Sequence, residues 1–515
     1  MAWSHYQLDI FEYAENPDNG SFVVSAVAGA GKTTTAVECA RRIAMKHPQL
    51  KILFLSFNRS IAEELSERLK EDFPGIRCAT LHSYGLSVLY KSKLKLSVVQ
   101  NKWKNYIKKN IYTLLTEPLQ EKLEWLYVKN CEELLRLCQI NLIKPGDVAG
   151  VTDIMTRHNI IPVQNENEAV ARLLRKAEML MTFRSPKGIE IDYTDMITLP
   201  LLESFRQHIQ KYDVVFIDEA QDLSMAQQEL MLQCVKPDGK FIAIGDERQA
   251  INGFAGAMND SFERLYKIAG MKLPLSVNYR CGVNILNEAQ KIVPEIQPRE
   301  DAPDGSVTRV KDLSQVQPGD MIICRKTAPL INIALKLMSE GQSAFVKGRE
   351  MFDKLIALVE KVSDSGSGSG LELNTLYTRL DAEIEQTVQR LVEQGIQYVK
   401  FHPVYLDTVD KVNALKIIGK NCDNPAQLHE LLDKLFDDKE HGDAVMLSTV
   451  HKAKGLEADR VFIICPELLP FTFTGQQPWE LAQEMNLKYV AITRAKNELY
   501  WVDVSEEAIE DVKVK

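Results

Sequence analysis

The segment Ala28-Gly29-Ala30-Gly31-Lys32-Thr33 constrains this chain more than any other. It is a run of small residues closed by a lysine and a hydroxyl. An apolar run, Phe22–Val27, precedes it and reads as a buried strand. From Thr34 to His47, Val37, Ala40 and Ala44 recur at helical spacing, and Pro48 ends the helix. A strand that turns through small residues into a helix lets backbone N–H groups approach phosphates closely. Lys32 then supplies a point charge for the β- and γ-phosphates, and the Thr33 hydroxyl suits Mg²⁺. Ala26 stands where the usual spacing has its first glycine. A tight strand-to-helix turn with an incidental lysine is the bland alternative.

A second feature weighs against that alternative. Asp218-Glu219-Ala220-Gln221-Asp222 follows the apolar run Val214–Ile217, so its acids sit at the carboxyl end of a strand, where an α/β sheet places ligands. Asp218 can hold Mg²⁺ through water, and Glu219 can accept a proton from an attacking water. The competing reading is an acidic helix start. ATP hydrolysis also needs positive charge on the γ-phosphate. Arg280, in Asn278-Tyr279-Arg280, and Arg494, in Tyr489–Lys496, are candidates, with structural salt bridges as the alternative for each.

The order of elements is that of a mostly parallel α/β sheet. Ile52–Leu55 reads as a strand and Ile61–Lys70 as a charged helix, and strand runs return at Val214–Ile217 and Phe241–Ile244. Between them, residues 91–200 follow helical spacing and read as a mainly helical insertion. A second α/β region offers strands at Val307–Val310, Met321–Cys324, Ala344–Lys347, Val445–Thr449, Val461–Cys465 and Leu499–Val502. Its interruption is helical in outline apart from an extended stretch at Tyr398–Phe401. The expected layout is a first core of residues 1–90 and 201–275 with the insertion 91–200. A second core follows at residues 276–361 and 443–515, with a small insertion at 362–442. Ser365–Gly370, SGSGSG, reads as a flexible loop without function.

Taken together these segments resemble UvrD/Rep-type superfamily 1 helicases, and within them the F-box DNA helicase branch and its phage or bacterial relatives. Matching segments run from Gln7 to about Tyr500. The resemblance implies two RecA-like parallel-sheet motor domains with mainly helical insertions. It implies ATP and Mg²⁺ as cofactors, with ATP lying between the two cores. Ala28, Gly29, Ala30, Gly31, Lys32, Thr33 and Thr34 look like the phosphate loop, and Gln7 like the adenine-reading glutamine. Asp218 and Glu219 look like the Mg²⁺ ligand and catalytic base. Gln249 resembles the γ-phosphate sensor and Tyr279 the base-stacking tyrosine. Glu457 resembles the ribose-side glutamate, and Arg280 and Arg494 the arginine fingers. On the nucleic-acid side Phe57, Asn58, Arg59, Thr80, His82 and Tyr84 resemble single-strand contacts of the first core. Phe254 replaces a common tryptophan as a stacking face, and Thr449 and His451 resemble backbone contacts on the second core. The implied activity is 3′→5′ translocation and strand separation in DNA repair, recombination or replication. A nucleic-acid-stimulated translocase or remodelling ATPase, acting on DNA or RNA without unwinding, is the competing expectation.

The net charge of −9 argues weakly against nucleic acid, although a motor needs only a narrow basic track. One candidate is Lys91–Lys109, with seven lysines, no acid, and Trp103 and Tyr106 among them. The alternative is a solvated helix face with its aromatics buried. Nine scattered cysteines, none in a CxxC pair, point to a reducing compartment and away from a zinc or iron–sulfur site. The hydrophobic runs are strand-length and the start does not read as a signal peptide, so no membrane partner is expected. The expected partners are single-stranded DNA, single-strand/duplex junctions and an accessory protein. The expected setting is the cytoplasm of a bacterial, archaeal or phage-infected cell, or a eukaryotic nucleus.

Overall fold

The structure is a computed structural model. It describes all residues except 1–2, 57–61, 64–66, 68–72, 74, 159, 161, 180–183, 252–260, 364–371, 394–395, 397–398, 438–442, 474–475, 477 and 515. The expected helix at 61–70 lies largely outside the described residues, and the SGSGSG loop wholly so. The chain forms two compact units, Met1–Ser276 and Val277–Lys515. Among the described residues no helix is long and apolar enough to cross a membrane.

The first unit is built on six strands: β1 (Phe22–Ala26), β2 (Ile52–Ser56), β3 (Ile76–Thr80), β4 (Tyr212–Ile217), β5 (Val235–Gly245) and β6 (Lys272–Leu275). Their order is β3-β2-β4-β5-β1-β6, and every pairing is parallel. A parallel sheet covered on both faces needs apolar residues at successive positions, which is why β1, β2 and β4 stand out in the sequence. Phe54 and Phe216 are register partners on β2 and β4, and their rings stack at 5.4 Å. The edge strands β3 and β6 were not expected. Ile76–Thr80 is interrupted by Arg77 and shows no continuous apolar run, and Lys272–Leu275 carries Pro274, which an edge position tolerates.

Three helices matter for the site. α1 (His5–Glu15) is capped by Ser4, α2 (Lys32–Lys46) leaves the end of β1, and α3 (Leu81–Lys91) follows β3. α2 begins two residues before the predicted Thr34, because Gly31, at φ +75°, turns the chain into the helix directly.

The segment after Lys91 carries its own core, with Trp103, Ile107, Leu134, Leu135 and Leu173 within it. It also contains a three-stranded sheet of Leu96–Val98, Gly188–Ile191 and Arg184–Ser185, absent from the sequence reading. The basic-track expectation is corrected here. Trp103 is buried, the Tyr106 hydroxyl accepts from Lys176 Nζ at 2.7 Å, and Lys102 is buried in an ion pair with Asp195. The aromatics share one helical face and that face packs inward. Lys91, Lys93, Lys95, Lys104, Lys108 and Lys109 remain exposed without them.

The main sheet of the second unit has seven strands among the described residues: β7 (Ser306–Val310), β8 (Met321–Cys324), β9 (Ala344–Lys347), β10 (Phe436–Asp437), β11 (Val445–Thr449), β12 (Ala458–Ile464) and β13 (Ala495–Val502). They run β7-β13-β12-β8-β11-β9-β10, again all parallel. Phe462 and Tyr500 repeat the ring stack of the first unit at 4.4 Å. Helices Leu373–Glu393, Pro403–Gly419 and Pro425–Leu435 interrupt this sheet. Leu380, Leu415 and Leu432 share one core with Leu330 and Leu337 of helix Thr327–Ser339. Asp410 fastens the same junction: its carboxylate accepts from the backbone N–H groups of Thr327 and Ala328 at 3.0 and 2.9 Å. Val399–Phe401, predicted as extended, is a single helical turn ahead of Pro403–Gly419.

Candidate nucleotide and nucleic-acid sites

The strand order of the first unit decides what meets at its carboxyl edge. β4, β5 and β1 are neighbours, and adjacent strands lie about 4.8 Å apart. Their ends therefore bring three segments side by side: Asp218 and Glu219 after β4, Asp246 after β5, and the loop Gly29–Thr33 after β1. Thr33 Oγ1 donates to Asp218 Oδ2 at 2.9 Å, and Lys32 Nζ lies 3.7 Å from Glu219 Oε1. A hydroxyl and a carboxylate this close are the hard oxygen donors Mg²⁺ takes, and phosphates and water would supply the rest. Glu219 itself is left-handed, at φ +52°, a strained state for a residue with a side chain.

Gln249, in the short turn Glu247–Gln249, is buried beside this edge, where its side chain favours the ionised form of Asp246. Gln7 lies on α1 against the same loop. Its amide donates to Thr35 Oγ1 at 2.9 Å and accepts from Ser4 N at 3.0 Å, and Thr35 in turn donates to the Gly31 carbonyl at 2.9 Å.

Electrostatics follow from burial. Burial first, and the Glu219 charge second, push the Asp218 carboxyl up to about 6 against the pull of Lys32 and Thr33. Burial likewise raises Asp246 to about 6, although Lys32 opposes it. A carboxyl raised on folding holds a proton that the unfolded chain has already released. Each group therefore costs stability progressively as pH rises from about 4 to about 6, with the cost fully present above that. Without Mg²⁺, Asp218→Asn should melt above the parent at pH values over about 6.5, and the gap should close toward about pH 4.5. Melting curves across that range check this; a gap independent of pH contradicts it.

In the second unit the predicted residues fall at opposite edges of the sheet. Glu457 and Arg494 immediately precede β12 and β13, at the amino edge. Arg280 joins them: its Nε pairs with Glu457 Oε2 at 2.5 Å and its Nη1 donates to the Thr493 carbonyl at 3.2 Å. Lys496 holds the other Glu457 oxygen at 2.9 Å. Burial opposes ionisation of Glu457, but Lys496 and Arg280 outweigh it and its pKa is lowered. Arg494 is 1% exposed. It donates to the Val490 and Leu456 carbonyls, both at 2.9 Å, and to Thr493 Oγ1 at 3.2 Å. Burial, with Arg280 nearby, lowers it to about 10, so it stays charged. Tyr279 is half-buried beside Arg280. Thr449 and His451 lie at the carboxyl edge, at the end of β11. Burial, then Arg325 and Lys452, lower His451 to about 3 and leave it neutral.

Two stretches of the chain carry family signatures. The UvrD/REP helicase N-terminal domain matches residues 10–269, just over half of the chain, and the UvrD-like helicase C-terminal domain matches residues 381–506. The chain belongs to the UvrD/REP helicase family. F-box DNA helicase protein 1 of Schizosaccharomyces pombe is 23% identical over 92% of this chain and 55% of its own length. A probable DNA helicase II homolog of Mycoplasma pneumoniae is 23% identical over 94% of this chain and 82% of its own. F-box DNA helicase 1 of Gallus gallus is 23% identical over 92% of this chain and 46% of that protein. The chain thus spans about half the length of the two F-box relatives.

Of the residues expected to contact nucleic acid, Phe57, Asn58, Arg59 and Phe254 lie outside the described residues. Thr80 ends β3 and caps α3, its hydroxyl accepting from Ser83 N at 3.1 Å. Tyr84 is corrected. It is 1% exposed, its hydroxyl donates to the Gln210 carbonyl at 3.0 Å, and its ring packs against Tyr212 at 6.5 Å. It belongs to the core under β4 and is closed to a ligand. An exposed aromatic stands beside His82: Tyr193, 54% exposed at the start of α4 (Tyr193–Thr198), with its ring edge-on to His82 at 6.2 Å. Gly85 makes the approach feasible, since a Cβ there would sit 1.8 Å from the Met196 carbonyl oxygen. Tyr193 lies more than a hundred positions from His82, so no local pattern in the sequence joins the two. Asp246 and Gln221 were missed as well; only their places after an apolar strand and beside an assigned acid could have drawn notice.

Proposed function

We propose that this chain is an ATP-driven motor on single-stranded DNA that moves 3′→5′ and separates strands. The observation that supports it best is the division of one sheet edge. The ends of β4, β5 and β1 carry the phosphate loop and its acids, and the end of β3 carries Thr80 and His82. Lys32 takes the phosphates, Thr33 and Asp218 hold Mg²⁺, and Glu219 accepts the proton of the attacking water. Bound Mg²⁺ would neutralise phosphate oxygens as charge moves to the leaving group. Gln7, Tyr279 and Glu457 are assigned to the nucleoside, and Gln249, Arg280 and Arg494 to the γ-phosphate. His82, Thr449 and His451 are assigned to the strand, and the processes served are DNA repair, recombination or replication.

Direction is tested with duplexes carrying a 3′ or a 5′ single-stranded tail, with an RNA-tailed pair beside them. Faster displacement on the 3′-tailed DNA is expected; displacement confined to the 5′-tailed duplex overturns the direction. Translocation without strand separation is the second reading. It is favoured by the helices Leu373–Glu393, Pro403–Gly419 and Pro425–Leu435, whose Leu380, Leu415 and Leu432 are part of the core of the second sheet. Hydrolysis stimulated by single strands without displacement on either duplex would select it.

Tyr193 gives a further expectation. An exposed ring beside His82 offers a sequence-tolerant stacking face. Tyr193→Ala should cost about 1–3 kcal/mol of single-strand binding, with Tyr193→Phe near parental. Melting temperature should hardly move, because the ring is exposed. Unchanged affinity in a fluorescence-anisotropy titration contradicts the assignment.

A further inference from the structure

One side chain links the ends of two neighbouring strands at the candidate nucleotide site. Gln221 is 2% exposed. Its Nε2 donates to Glu219 Oε2 at 2.5 Å, and its Oε1 accepts from the backbone N–H of Asp246 at 3.0 Å. Beyond that amide the turn continues on Asp246. Its Oδ1 accepts from Arg248 N and its carbonyl from Gln249 N, both at 2.9 Å. The geometry is tight: a Cβ on Gly245 would lie 2.4 Å from Gln221 Oε1, so only glycine leaves the amide room.

We propose that Gln221 is a positioning residue. It fixes the carboxylate of Glu219 and keeps it in register with the turn that carries Gln249. The proposal rests on Glu219 being the base. Two further observations lead to it. Glu219 is left-handed, so no helix or strand sets the direction of its side chain. Its Oε1 faces Lys32 at 3.7 Å, a partner that the nucleotide phosphates would claim. With Lys32 on phosphate, the bond from Gln221 to Oε2 still holds the carboxylate. That bond occupies Oε2 and leaves Oε1 to accept the proton. As the water oxygen bonds to the γ-phosphorus, its proton passes to Oε1. The bond from that phosphorus to the bridging oxygen breaks, and ADP leaves with the electron pair.

The test is a double-mutant comparison of kcat in the full chain, with the affinity for a fluorescent ATP analogue measured beside it. Gln221→Met should lower kcat roughly 10- to 100-fold, as a misplaced reacting group does, with analogue affinity within about twofold of the parent. In the Glu219→Gln background the same change should have almost no further effect on residual hydrolysis. A purely structural role would lower both backgrounds by the same factor, and that result overturns the proposal, as does a parental kcat in Gln221→Met. If Gln221→Met does not fold, Gln221→Glu keeps the size. Its carboxylate cannot donate to Glu219 unless protonated, so its kcat relative to the parent should recover as pH is lowered; a pH-independent ratio overturns the proposal. A parental rate in Glu219→Gln alone removes the base assignment and the proposal with it. An inactive Glu219→Gln beside a fully active Gln221→Met removes only the proposal.

Discussion

Glu219→Gln should bind ATP and hydrolyse it at least about 100-fold more slowly than the parent, the scale of a lost general base. The geometry explains why binding should survive. Glu219 stands 3.7 Å from Lys32, and its charge is the second cause of the raised Asp218 carboxyl. Neutralising it frees Lys32 for phosphate and eases ionisation of the proposed Mg²⁺ ligand, so nucleotide affinity should hold or improve. Lys32→Ala should behave in the opposite sense: it removes the cation at the start of α2 and leaves Glu219, Asp218 and Asp246 facing the phosphates without it. Both binding and turnover should be lost. Nucleotide titrations and steady-state hydrolysis on the two variants separate these outcomes. Parental turnover in Glu219→Gln contradicts the assigned base.

Arg494→Ala and Arg280→Ala should part company although both are assigned to the γ-phosphate. Arg494 is enclosed, and its three bonds all end on acceptors of the second unit. Truncation strands two carbonyls and leaves a hole, at about 2–4 kcal/mol of stability. Arg280 is half-buried, and Glu457 keeps Lys496 at 2.9 Å when Arg280 is gone. Its truncation should cost about 1 kcal/mol or less of stability and roughly 10³-fold or more of stimulated turnover. Arg494→Lys keeps the charge but cannot make all three bonds, so it should fall between. Thermal melting of the full chain beside its hydrolysis rate gives both numbers. Equal melting temperatures for the two alanine variants contradict the structural part of this account.

The sequence was readable where a segment's physics is local. Met321–Cys324, Ala344–Lys347 and Val445–Thr449 are buried strands, and their apolar runs mark them to the residue. The strands that lead into the loop Gly29–Thr33 and the Asp218-Glu219 pair are equally local, each marked by its own apolar run. What could not be read depends on distant partners. Tyr84 follows His82 closely and looked like its companion, but α3 turns it toward Tyr212, while Tyr193 arrives from another helix. Trp103 and Tyr106 looked like a binding surface until Lys176 and the helical core took them. Gln221 is an ordinary polar residue in sequence; its meaning comes from β5 lying beside β4, a fact of sheet order.

The central claim, that the carboxyl edge of the first sheet couples nucleotide to a single strand, has one direct test. Steady-state hydrolysis of Mg²⁺-ATP by the full chain is measured with and without a mixed-sequence single-stranded DNA, with Lys32→Ala as the control. Hydrolysis should be slow alone, rise severalfold on adding the strand, and be absent from Lys32→Ala in either case. A parental rate indifferent to single-stranded DNA, or hydrolysis that survives Lys32→Ala, would contradict it.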